Sequence, residues 1–163
     1  MAEKVKAVPE GMHTITPHLI INGADKAIEF YKKAFGAEVN GVHHTPDGKV
    51  MHASLKIGDS HLYLADEFPG MGAKGPQALG GSPVVLNLYA DNIDKVFNQA
   101  VAAGATVTMP LANQFWGDRY GQVKDPFGHS WALGQHIEDV APPEMERRAN
   151  EAFAQMAKSA GKS

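Results

Sequence analysis

Cysteine is absent from the 163 residues, which excludes disulfides, zinc–thiolate sites and a cysteine nucleophile. A charge excess is lacking too. The 15 Lys+Arg and 18 Asp+Glu leave a net charge of -3, without the basic surplus that phosphate neutralisation calls for. No apolar run reaches the ~18 residues of a membrane span. Met1–Pro9 carries lysines and an acid where a signal peptide would need an apolar centre. A soluble, cytoplasmic chain without nucleic-acid or membrane partners is therefore expected. Gly70, Gly72 and Gly75 fall in a linker, not between a strand and a helix, so they make no dinucleotide site. A phosphate loop, a His-Glu-x-x-His helix and a nucleophile elbow are all missing. Hydrophobic residues at 44% and charged residues at 20% are ordinary globular usage, which argues against disorder. The length fits one domain or two small modules sharing a core.

What is present is a duplication. Ile20-Ile21-Asn22-Gly23-Ala24-Asp25-Lys26 returns 69 residues later as Tyr89-Ala90-Asp91-Asn92-Ile93-Asp94-Lys95. Each copy is a short apolar strand followed by a helix start. Asn22 with Asp25, and Asp91 with Asp94, have the spacing of an N-cap and an acidic third residue. Ala24, Ala27, Ile28, Tyr31 and Ala34 form an apolar helical stripe, matched by Ile93, Val96, Phe97, Ala100 and Ala103. Both helices should stop at glycine, Gly36 and Gly104.

Strand signals follow each helix. In the first copy they are Glu38–Thr45, Val50–Ile57 and His61–Ala65; in the second, Thr106–Pro110, Arg119–Lys124 and Ser130–Gly134. The fold predicted is α+β: two β-α-β-β-β modules forming cupped mixed sheets, plus a C-terminal helix. The divisions are an arm at 1–12, a first module at 13–68, a linker at 69–83, a second module at 84–139 and a helical tail at 140–163. The linker, rich in glycine and proline, is expected to hold no element of its own. In the tail, Glu144–Lys158 is the predicted helix, resting on the domain or on a partner subunit, and Gly161–Ser163 should fray.

Thr16-Pro17-His18-Leu19, Ala27-Ile28-Glu29-Phe30-Tyr31, Lys49-Val50-Met51-His52-Ala53, Phe115-Trp116-Gly117-Asp118-Arg119 and Asp125-Pro126-Phe127-Gly128-His129-Ser130-Trp131 together resemble the vicinal oxygen chelate superfamily. That superfamily contains glyoxalase I, bleomycin and fosfomycin resistance proteins and extradiol dioxygenases, and the nearest group is the PhnB-like glyoxalase-related proteins. The resemblance covers about residues 13–139 and implies a ligand held in the concave side of a cupped sheet, commonly in a homodimer. Metal-using members supply His or Glu from the first and last strands of both modules. The matching positions here are Thr16, Leu62, Val85 and Ala132, which cannot make that site. No metal and no other cofactor is therefore expected.

Strand alternation selects other residues for the cup. Leu19 and Ile21 should pack beneath the helix, so His18 and Ile20 face outward, and the repeat carries them onto Asn87 and Tyr89. Met51, Ala53 and Leu55 should pack inward, so His52 and Ser54 face the cup, with Gln122 as the counterpart of His52. Trp116 and Arg119 add an aromatic face and a cation able to bind an anion in bidentate fashion. The candidate ligand-binding set is thus His18, His52, Asn87, Gln122, Arg119, Tyr89 and Trp116, with no catalytic residue assigned. Plainer roles stay open: His18 half exposed at a strand start, His52 bonded to a neighbouring strand or a water, Arg119 paired with Asp118 or Asp125, Trp116 in the core or at a dimer contact. His61 is ambiguous in facing. His43 and His44 are read as solvated, and His129 and His136 as structural or exposed.

Three functions compete. The first is metal-free binding of a small organic ligand, in the manner of bleomycin resistance proteins. The second is a metal-dependent lyase, isomerase or dioxygenase of the glyoxalase type with its metal relocated to His18 and His52. The third is an interaction protein with a vestigial cup, its tail helix serving a partner.

Overall fold

A computed structural model describes residues 5–160. The first four residues of the expected arm and the expected frayed end lie outside the described residues. In chain order the elements are β1 (His18–Ile21), α1 (Ala24–Phe35), β2 (Glu38–His44), β3 (Val50–Ile57), β4 (Ser60–Asp66), a 3-10 turn (Pro69–Met71), α2 (Pro76–Leu79), β5 (Val85–Tyr89), α3 (Ile93–Ala103), β6 (Thr106–Asn113), β7 (Asp118–Lys124), β8 (Ser130–His136) and α4 (Pro142–Ala160). The strands form two four-stranded mixed sheets, ordered β1-β4-β3-β2 and β5-β8-β7-β6. In each, the first strand runs parallel to the last and the others are antiparallel.

Helices α1 and α3 each cover one face of their own sheet and pack on each other. The predicted stripe of α1 is buried along its whole length; in the second module Ile93, Phe97 and Ala100 are buried, with Val96 and Ala103 partly so. Phe30, Tyr31 and Phe35 of α1 meet Phe127 and Trp131 of the second module in edge-on and tilted ring contacts, so the modules share one core. Inside that core Asp125, 4% exposed, accepts from the Tyr31 hydroxyl at 2.6 Å, the Trp131 indole at 3.0 Å and the backbone N–H groups of Phe127 and His129. Burial, then the Asp125 charge, holds the Tyr31 hydroxyl well above its ordinary range, so it stays a neutral donor.

Several local expectations are corrected. Asn22 does not cap α1. The cap residue is Gly23 at φ 92, and Asp66 at the end of β4 accepts from Gly23 N–H and Ala24 N–H. Asn92, not Asp91, caps α3 by accepting from Lys95 N–H. Met51 is 48% exposed and not beneath the helix. His43 pairs with His52 and His44 with Val50, so Met51 is the extra residue of a bulge, and Val50 takes the inward position. The linker holds two short helical turns. The tail helix begins two residues before Glu144, because proline is tolerated in a first turn whose N–H groups have no intrahelical acceptor.

Candidate functional site

Because the helices lie between the sheets, the other face of each sheet is directed away from them. On sheet 1 that face carries His18 from β1, His61 and Tyr63 from β4, His52, Ser54 and Lys56 from β3, and His43 from β2. The facing follows from register: His18 and Ser54 both stand opposite Tyr63, Lys56 opposite His61, and His52 opposite His43. His61 is thereby assigned to the outward face, and His43, expected to be merely solvated, joins His52. The rings of His18 and His52 lie 5.8 Å apart, and His52 meets Tyr63 at 4.7 Å, both edge-on. Burial and then the neighbouring His52 push the His18 imidazole below its usual value.

On sheet 2 the equivalent face carries Asn87 and Tyr89 from β5, Asp118, Tyr120 and Gln122 from β7, and Ala132, Gly134 and His136 from β8. Tyr89 and Tyr120 stand on either side of Gly134, whose missing side chain leaves room for both rings. Gln122 donates its amide to the Tyr120 hydroxyl at 2.8 Å, leaving that hydroxyl's proton free. The Trp116 ring meets Tyr120 edge-on at 5.5 Å.

Asp118 organises this face, and sequence reasoning missed it. It is 5% exposed and accepts from the Tyr89 hydroxyl at 2.7 Å, the Trp116 indole at 3.1 Å and His136 Nδ1 at 2.9 Å. Burial alone would raise its pKa; the hydrogen bonds from His136, Tyr89 and Trp116 outweigh burial and hold the carboxyl below the usual range. The hydrogen bond to Asp118, ahead of burial, raises the Tyr89 phenol.

His136 also reaches Asp139 through Nε2 at 2.9 Å. These bonds, to Asp139 first and Asp118 next, raise its pKa. A raised native value means that the stabilisation is complete below the unfolded value, about 6.5, and is lost as pH rises through the higher native value. The urea midpoint of the wild type should therefore fall between pH 6 and 8.5, and His136→Asn should flatten that fall.

The seven candidate residues are not all brought together. His18 and His52 share sheet 1, while Asn87, Tyr89, Gln122 and Trp116 share the second module, and no hydrogen bond or ring contact joins the two groups among the described residues. Arg119 stands apart. It lies on the helix-side face of β7 with Gly121 and Val123, and its guanidinium grips Asp94 of α3 at 2.6 and 2.7 Å and Asn113 at 3.1 Å. Its acidic partner is neither Asp118 nor Asp125. A cleft of about 800 Å³ opens between the modules against residues 13–17, the β3–β4 turn and β5, and it takes in Asn87 and Tyr89 together with His61, whose Nδ1 is buried without a hydrogen-bond partner.

Register also corrects two assigned equivalences. Asn87 and Gln122 both stand opposite Ala132, as His18 and Ser54 both stand opposite Tyr63. The counterpart of Ala132 is therefore Tyr63, and that of Gln122 is Ser54, not His52. Leu62 is 4% exposed in the core on the helix side. The offset drifts because the β7–β8 connection, Asp125–His129, is longer than the two residues Gly58-Asp59 joining β3 to β4. Thr16, Tyr63, Val85 and Ala132 still offer no imidazole or carboxylate, and among the described residues no three His, Cys, Asp or Glu side chains converge to hold a metal ion. No described helix is long and apolar enough to cross a membrane.

A paired-module fold with open, polar sheet faces defines the class, and sequence comparison agrees. The profile of the Glyoxalase/Bleomycin resistance protein/Dioxygenase superfamily matches residues 11–133, so the chain belongs to that superfamily. A protein of Mycobacterium bovis is 46% identical over 135 residues, spanning 81% of this chain and 89% of its own length. Among solved structures, a protein of Pseudomonas aeruginosa is similar at a TM-score of 0.64 and 27% identity, covering 77% of this chain and 99% of that one. A PhnB protein from Bacillus cereus is similar in fold at 0.59 and 22% identity, covering 76% and 99%.

Proposed function

We propose that the chain is a cytoplasmic small-molecule-binding protein, holding a partly polar organic ligand against its open sheet faces without the superfamily's metal, and that it does so as a homodimer. The observation that carries this is the pair of outward faces. One presents His18, His52 and Tyr63; the other presents Asn87, Gln122, Tyr120, Tyr89 and Trp116 around a buried carboxylate. Rings supply apolar contact and the amides, imidazoles and phenols supply oriented hydrogen bonds, as a small polar ligand needs. The faces point away from the shared helical layer within one chain. Apposition of one chain's first sheet with the second sheet of another would bring both groups onto one ligand and cover the open edges of β1 and β5. Arg119 is left out of this reading, since it lies on the helix-side face, bound to Asp94 and Asn113.

Light scattering at micromolar concentration should give twice the chain mass. Ligands found by thermal-shift screening in EDTA should bind about 5- to 30-fold more weakly to His52→Ala or Gln122→Ala, the loss of one hydrogen bond in a desolvated site. A monomer whose hits ignore both substitutions would contradict the proposal. The second reading, a relocated metal site with lyase, isomerase or dioxygenase chemistry, draws on the 5.8 Å separation of the His18 and His52 rings. Against it, His43 stands opposite His52, yet among the described residues no three His, Cys, Asp or Glu side chains converge on one point.

A further inference from the structure

The linker folds back over β1 and walls a separate cleft of about 370 Å³. Its apolar lining comes from Ile20 of β1, Leu79 of α2, Val84 and Leu86 of β5. Its polar lining is His18, Lys74, Ser82 and His129, and no Asp or Glu is among the lining residues. Glu67, just before the linker, is engaged: its Oε1 accepts from Gly75 N–H at 2.7 Å.

The walls are fixed from both modules. A Cβ at Gly75 would stand 2.9 Å from the Ile20 carbonyl oxygen, so only glycine lets the linker press this closely on β1. His129 bonds the same carbonyl through Nε2 at 3.1 Å, and Gln77 donates its amide to Pro126 O at 3.1 Å. Engaged with the Ile20 carbonyl through Nε2, His129 serves the wall. Three donors remain for a ligand: the Lys74 ammonium, the His18 imidazole and the Ser82 hydroxyl. Ser82 Oγ accepts from Val84 N–H, so its own proton is free.

We propose that this cleft is a binding site for a small organic carboxylate, its head on Lys74, His18 and Ser82 and its short apolar chain against Ile20, Leu79, Val84 and Leu86. One fixed cation with neutral donors balances a single negative charge, which favours a monoanion over a phosphate dianion. Apart from His18, the site shares no residue with the sheet faces invoked above.

The test is a titration of ¹⁵N-labelled full-length protein at pH 7 with octanoate and, separately, with octan-1-ol. Octanoate should shift amides of residues 73–82 and of β1 saturably. The alcohol should bind about tenfold more weakly, and Lys74→Met should weaken octanoate by about the same factor. Lys74 is exposed, so that variant should keep the native spectrum. Equal binding of acid and alcohol, an unaffected Lys74→Met variant, or no shifts at all would overturn the site. Shifts confined to Tyr63, Tyr120 and Gln122 would also overturn it while supporting the sheet-face reading.

Discussion

Replacing Asp125 by alanine is expected to lower the unfolding free energy by about 3–5 kcal/mol. The carboxylate is the one acceptor shared by a tyrosine from α1, a tryptophan from β8 and two backbone N–H groups of the β7–β8 turn. Without it, four donors are stranded in a core that water does not enter, between modules that depend on it for their alignment. Tyr31→Phe removes one donor and leaves the other three satisfied, so its cost should be about 1.5–3 kcal/mol, the worth of one charge-assisted hydrogen bond. Urea unfolding followed by tryptophan fluorescence measures both. If Asp125→Ala cost no more than Tyr31→Phe, the carboxylate would not be the joint between the modules.

The second large effect is expected at Gly117. Its φ is +96, a region that side chains rarely adopt, and a Cβ there would overlap the carbonyl oxygen of Glu138 and press on Val140. The Gly117 carbonyl accepts from both Ile137 N–H and Glu138 N–H, so the segment leading to α4 is laid directly on this turn. Glu138 in turn pairs with Arg148 of α4, which also reaches the Phe115 carbonyl, and Phe153 meets the Phe115 ring. Gly117→Ala should therefore cost about 2–4 kcal/mol from backbone strain and overlap combined. It should also free the tail, seen as faster proteolysis between Ile137 and Pro142. Unchanged proteolysis with full stability would mean that the segment leading to α4 does not rest on Gly117.

The duplication and the helical stripes were legible in the sequence because burial repeats at helical spacing. The outward facing of His18 and His52 followed from strand parity and that of Asn87 from the repeat, whereas Gln122 was reached through an equivalence with His52 that register replaces by Ser54. Parity failed at Met51, where a bulge breaks the alternation without any marking residue. The equivalence of Ala132 with Leu62 failed because the connections of the two modules differ in length. Asp118 and His136 were hidden because their partnership depends on pairing across β7 and β8, 18 residues apart. Arg119 looked like a ligand cation because nothing local shows that Asp94, on another element, lies on its side of the sheet. The clefts were invisible for the same reason: linker and strand meet only in the folded chain.

Elemental analysis of protein purified without a histidine tag tests the central claim, binding without a metal, most directly. Less than about 0.1 equivalent of nickel, zinc, manganese or iron per chain is expected, because among the described residues no three His, Cys, Asp or Glu side chains converge, and structural or catalytic sites use about three or four protein ligands. About one equivalent per chain, lost in His18→Ala or His52→Ala, would contradict the account and make the chain a metal-dependent enzyme of its superfamily.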